Sequence, residues 1–469
     1  VQTCALPISQ DLDGYFSTSI GTNNALDLQG AVGFGLTDKL STRVSLLRQS
    51  KDNWIDNVAS GFEDKGVLGG YQEIAGRVQF LYEDDNFNAL FNYHWRDLNG
   101  KPIAFRANAI KLGSNSLVDG FERDEVTQDA AQFATQEVEN DGASLKLEFL
   151  LENHTITAVT GYESVTFFSR GDVDGGSGAG LDFLQGTPAY NPNIAFAAES
   201  ADAIPDHSQI SQEIRVASNE LGAFDYQFGA FYFKEDITIE SFSYDSLAGI
   251  NAPLTTAHVC QSETNSELTA NGYACQEQKT TAWAIFASAD YDISDTVKLT
   301  AGVRYTKDEK DFVAERKQSN LSFLPFVDDQ FGPIVRKTDD SQVSWDVSLS
   351  KVVNDDVNVY GRLAKGFRAP SIQGRVLFGD SVTVADSETI HSIEAGIKSS
   401  VWDDRARVNV STFYFQMDDQ QLTAVGGNSN SNRLLNADKT VGYGFEVDSE
   451  IAITEDLLAT LGVSYNNTE

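Results

Sequence analysis

Side chains able to carry out chemistry are few in this chain and poorly grouped. The five histidines, His94, His154, His207, His258 and His391, are scattered, with no His-Glu-x-x-His pair and no metal-ligand spacing. Gly175-Gly176-Ser177-Gly178-Ala179 misses the Gly-x-Ser-x-Gly turn of a serine hydrolase at its last residue and does not lie between a strand and a helix. It also lacks the Gly-Lys-Ser/Thr of a phosphate loop. Asp172-Val173-Asp174-Gly175 opens as a calcium loop does, but the closing acid is missing and Phe183 stands in its place, so a flexible glycine loop is the better reading. These residues predict no enzyme and call for no cofactor or resident metal.

Cys260 and Cys275 lie in one polar segment with Ser262, Thr264, Asn265 and Asn271. A pair inside a surface loop predicts a disulfide and an oxidising compartment, with two free thiols as the other reading; the spacing excludes a Cys-x-x-Cys metal knuckle. Charge narrows the partners further. With 69 acids against 34 bases the net charge is −35, which is no footprint for nucleic acid. It suits a heavily solvated surface adapted to salt, or attraction of cationic or metal-bearing ligands.

The elements that carry these residues are strands. In residues 342–353, Val343, Trp345, Val347 and Leu349 alternate with Ser344, Asp346, Ser348 and Ser350. In 357–367, Val357, Val359, Gly361 and Leu363 alternate with Asn358, Tyr360, Arg362 and Ala364. A period of two predicts two strands with one apolar and one polar face, and Asn354-Asp355-Asp356 supplies the turn. Such strands recur about 17 times between Asp13 and Tyr465, each roughly nine to seventeen residues long, enough to cross a bilayer at a tilt. No apolar run approaches a membrane helix.

The connections separate a soluble sandwich from a membrane barrel. Short, mostly acidic ones (37–39, 83–85, 152–153, 219–222, 292–295, 354–356, 402–404, 454–456) alternate with long irregular ones (50–70, 99–141, 170–206, 240–278, 309–341, 368–386, 418–438). Only 22–24 breaks the order. All long loops then emerge on one rim and all short turns on the other, the pattern of an outer-membrane β-barrel. Trp95, Trp283, Trp345 and Trp402 near strand ends fit an aromatic girdle, and Arg407 should face the lumen. An odd number of strands cannot close. Residues 1–8, Val-Gln-Thr-Cys-Ala-Leu-Pro-Ile, match the translation of a sequencing adapter, GTT CAG ACG TGT GCT CTT CCG ATC, and are read as an artefact that includes Cys4. The chain stops directly after a strand. Both ends read as cut, so residues 9–469 are expected to be part of a larger barrel.

Five blocks then resemble those of TonB-dependent outer-membrane receptors. They are Gly366-Phe367-Arg368-Ala369-Pro370; Leu299 to Asp308, with Gly302, Arg304 and Tyr305; Ser387 to Lys398, with Glu394 and Gly396; Val441 to Val447, with Gly444 and Glu446; and Arg48 to Asn57. The resemblance implies an all-β, antiparallel transmembrane barrel of about 22 strands, of which about 17 are present, with the plug domain, the TonB box and about five C-terminal strands absent. It implies an outer-membrane location in contact with lipid. Also implied are coupling to the TonB complex through the missing N-terminal region and uptake of a scarce ligand, foremost an iron-siderophore chelate. A passive porin-like or adhesion barrel, or a receptor for cobalamin or oligosaccharide, are the alternatives.

Overall fold

The computed structural model describes residues 8–469 except 108, 129–130, 174, 176–197, 220–221, 246–251, 254–268, 271, 319–329, 404 and 427–430. His258, Cys260, Asp174 and most of the glycine run at 175–179 therefore lie outside the described residues. One 17-stranded antiparallel sheet dominates. In chain order its strands are β1 Asp13–Gly21, β2 Ala25–Thr37, β3 Leu40–Lys51, β4 Tyr71–Asp84, β5 Phe87–Gly100 and β6 Thr135–Leu150. There follow β7 His154–Asp172, β8 Ala198–Ser218, β9 Phe224–Asp245, β10 Gly272–Ser294, β11 Val297–Gln318 and β12 Phe331–Asn354. The last five are β13 Val357–Arg368, β14 Glu388–Val401, β15 Ala406–Gly426, β16 Ser431–Thr454 and β17 Leu457–Thr468.

Each strand pairs antiparallel with the next, from β1–β2 at one edge to β16–β17 at the other. Among the described residues β1 and β17 do not pair with each other, so the sheet is open along that seam. The hairpin read from residues 342–353 and 357–367 forms between β12 and β13, with Val347 opposite Leu363 and Leu349 opposite Gly361. Asn354 Oδ1 accepts from the Asp356 amide at 3.0 Å and holds the turn. On the short-turn rim, Lys39 Nζ reaches Asp84 Oδ1 at 2.7 Å. That hydrogen bond, reinforced by the carboxylate's charge, holds the Lys39 ammonium above the ordinary lysine range.

The strands run far longer than alternation of apolar residues predicts, up to 24 residues in β12 and β16. Their outer ends carry opposed charges beside the buried apolar residues. Asp236 lies opposite Lys279, Lys279 opposite Asp311, and Asp311 opposite Lys337, an alternating ladder across β9 to β12. Directly opposed unlike charges stabilise neighbouring strands, and here Lys337 Nζ meets Asp311 Oδ1 at 2.5 Å. Much of what reads as loop is therefore strand standing above the lipid. Cys275 is one casualty of that reading: it sits within β10, buried, and not in a loop.

Buried apolar clusters gather at the long-loop rim, since the lumen of a barrel is not a dry core. Ile55–Asn57, Asp64–Leu68 and Glu125–Val126 form a small three-stranded sheet there. Ile55, Val67, Leu68, Val126, Ala131 and Ala134 pack beneath it, and Asn57 Nδ2 pins it by donating to the Phe62 carbonyl at 2.9 Å. A second cluster joins Phe242, Tyr244, Tyr273 and Cys275, and a third joins Phe312 and Ala314 to Val376 and Leu377.

Candidate functional site

Residues directly opposite across a strand pair share a face of the sheet. Val347, Leu363, Ile393, Tyr414 and Tyr443 follow one another in register across β12 to β16, and all are exposed. A continuous exposed apolar row across five strands is a lipid-facing belt. Trp283 and Trp345 stand on the same face, and Trp283 packs on Tyr305 at 5.6 Å between ring centres.

The opposite parity is polar and carries most of the motif residues. Arg362 lies opposite Glu394, Glu394 opposite Phe413, and Phe413 opposite Gly444. One register step away, Tyr360 lies opposite Gly396, Gly396 opposite Ser411, and Ser411 opposite Glu446. Sequence blocks some fifty residues apart thus form one patch of inner wall. Arg407, opposite Ser400 and Glu450, shares this parity.

The glycines of the patch are there to be covered. A Cβ on Gly396 would come within 2.5 Å of the Tyr360 ring, and the Tyr360 hydroxyl donates to Glu394 Oε1 at 2.5 Å. A Cβ on Gly444 would lie 2.1 Å from the Tyr465 carbonyl oxygen and 2.8 Å from the Phe413 ring. Gly302 leaves room for Asp346, which stands 3.9 Å from Arg362 Nε. Arg304 lies between the faces of Phe231 and Phe286, 5.3 and 5.5 Å from their centres, and its Nε donates to Thr306 at 3.2 Å. Of these, Gly302, Arg304, Phe286, Asp346 and Arg362 line a hollow of about 620 Å³ on the inner wall, together with Gly366. Tyr305 is the exception, pointing to the lipid side with Ile285 and Val343.

The Gly366-to-Pro370 block marks where β13 leaves the wall. Arg368 Nη1 stands 3.9 Å from Glu388 Oε1. Gln421 clamps the departure: its amide donates to Glu388 Oε2 at 2.7 Å and its Nε2 donates to the Ala369 carbonyl at 2.8 Å. The segment that follows leans inward across the outer opening. Arg375 Nη2 reaches Asp202 Oδ2 at 3.3 Å, 173 residues away in sequence. Arg316, fully buried, donates to the Val376 carbonyl at 2.7 Å and pairs with Asp380. Sequence reasoning missed Tyr360, Gln421, Arg316 and Arg375. Only strand register brings them to their partners, and no motif spacing announces it.

Arg170 organises another part of the rim. It makes two bonds to Glu199, at 2.8 and 3.2 Å, and lies 3.8 Å over the Tyr244 ring. Its neighbour Asp172 accepts from the Gly175 amide at 2.7 Å. Among the described residues no three His, Cys, Asp or Glu side chains converge as a metal site. His94 bonds Glu163, His154 bonds the Tyr226 hydroxyl and His207 bonds Glu235, each singly on its own stretch of wall. Cys275 is disulfide-bonded.

Comparison with known proteins agrees with this architecture. Residues 62–469 match the family model described as TonB dependent receptor-like, beta-barrel. The ferric yersiniabactin uptake receptor of Yersinia pestis superposes with a TM-score of 0.72 at 17% identity, over 99% of this chain and 62% of that one. The ferric-catecholate import receptor Fiu of E. coli K12 gives 0.67 at 15% identity, over 98% and 65%. The siderophore receptor PiuA of Acinetobacter baumannii gives 0.68 at 13% identity, over 98% and 64%. At these identities the likeness is one of fold, and the chain spans less than two thirds of each receptor's length.

Proposed function

Because the chain belongs to the TonB-dependent receptor-like β-barrel family, we propose that the complete protein is an outer-membrane importer that captures a scarce iron chelate and moves it inward with energy from a TonB complex. Coupling would run through an N-terminal region not contained in this chain. The observation that carries the reading is the built rim. Buried clusters, a three-stranded sheet and an inward-leaning segment fixed by Arg316 and Arg375 stand above the polar inner wall. Ordered, elaborate loops on a rigid scaffold are how recognition surfaces are made. Glycine–aromatic packing and paired charges keep the wall beneath rigid while presenting polar groups to the lumen.

The test is growth of iron-restricted cells with and without the full-length gene, supplied with a panel of ferric siderophores. Rescue by at least one chelate that disappears in a TonB-deficient strain supports the reading. Rescue that is indifferent to TonB contradicts it.

A further inference from the structure

We propose that this chain builds an anion-binding subsite into its vestibule, at the outer end of β3 to β6, for the carboxylate-type oxygens of a multiply negative ligand. The site is a hollow of about 600 Å³ walled by Trp54, Tyr71, Lys101, Arg106 and Arg123. It faces the lumen. Leu46 and Ile74 are exposed on the lipid side, so Gln49, Tyr71 and Glu73, of opposite parity on the same strands, stand on the inner side and line the hollow.

Charge sets the hollow apart from the rest of the molecule. The chain carries −35 overall, yet three cations converge here and the lining contributes one carboxylate. That carboxylate, Glu73, is buried and already held by Arg96 Nε at 2.8 Å. Lys101 Nζ donates to the Ala134 carbonyl at 2.6 Å, and Arg106 donates to the Glu125 and Arg123 carbonyls at 3.2 and 2.8 Å. Carbonyls fix these cations in place without cancelling their charge. Among the described residues none of the three forms an ion pair. Cations gathered in one concavity, inside an otherwise repelling field, concentrate anions there. The ring of Trp54, packed on Gly69, and that of Tyr71 add flat apolar surface beside the charges.

The inference rests on the importer reading for its biological sense, but its test does not. Binding of tricarballylate, a small tricarboxylate, is measured by calorimetry on the full-length protein in detergent, beside its uncharged trimethyl ester. Tricarballylate should bind and the ester should not. Arg123→Glu should weaken binding about tenfold and Lys101→Met about fivefold, with Arg123→Lys close to wild type, as expected for charged groups meeting an anion. Arg123 is exposed, so its substitution should leave the barrel's unfolding midpoint unchanged, and the same samples report that midpoint. Equal binding of acid and ester, or unchanged affinity in a correctly folded Arg123→Glu protein, overturns the subsite. Energised uptake indifferent to Arg123→Glu would remove the subsite and leave the importer. Tricarballylate binding that Arg123→Glu abolishes, without energised uptake, would do the reverse.

Discussion

Replacing Gly396 with alanine tests whether the inner wall is organised by glycine–aromatic packing. The added Cβ would fall 2.5–2.7 Å from the Cε1, Cζ and Oη atoms of Tyr360. These are the far end of a side chain, so the ring can swing aside without moving the backbone. Swinging aside breaks the hydroxyl's bond to Glu394. A hydrogen bond to a charged group contributes about 1.5–3 kcal/mol, and the wetted lumen places this one near the lower limit, so G396A should cost about 1.5 kcal/mol. Gly444 makes a useful contrast, because its Cβ would meet the Tyr465 carbonyl, part of the neighbouring backbone, at 2.1 Å. G444A should therefore cost more, about 3 kcal/mol, the scale of overpacking that cannot relax. The assay is urea unfolding of the full-length protein in lipid vesicles, followed by tryptophan fluorescence. In a Y360A background G396A should cost under about 0.5 kcal/mol, since the clashing ring is gone. An equal cost with and without Tyr360 would refute the reasoning.

Further outcomes follow from the same geometry. Leu363→Arg on the lipid face should destabilise the folded barrel by about 2–4 kcal/mol, whereas Ser411→Arg on the lumen face, opposite Glu446, should cost less than about 1 kcal/mol; the same unfolding assay checks both. Arg170→Ala leaves the nearly buried Glu199 without its guanidinium and should loosen the rim locally by about 3–5 kcal/mol, read as faster hydrogen exchange in the 198–206 segment. The partner proposed for Cys275 is Cys260. Thiol labelling of unreduced, unfolded protein should then find neither free, and reduction should remove about 3 kcal/mol from the enclosed loop.

The sequence made the membrane-spanning halves of the strands legible, because lipid on one side and a wet lumen on the other impose alternation. That is why 342–353 and 357–367 appear as a hairpin inside β12 and β13. The outer halves were not legible, since no lipid imposes alternation there and their few buried apolar residues pack against distant loop segments. In Lys307 to Asp311 charged residues follow one another without an apolar position, and the pairing of Asp311 with Lys337 appears only when the strands are set in register. The motif residues could be found as blocks, but not their meeting. Glu394 and Glu446 are brought to one patch by the β14–β15 and β15–β16 registers. The basic hollow was hidden for another reason. An overall charge of −35 argues against an anionic ligand until folding gathers Lys101, Arg106 and Arg123 around one hollow with a single carboxylate, Glu73, in its lining.

The central claim is that this wall and vestibule belong to an importer driven by energy. The direct measurement is uptake of radiolabelled iron, as the chelate that supports growth, by cells expressing the full-length gene, before and after a protonophore collapses the proton gradient. Surface binding that persists while accumulation stops is the predicted result. Accumulation that continues unchanged after collapse would contradict the account.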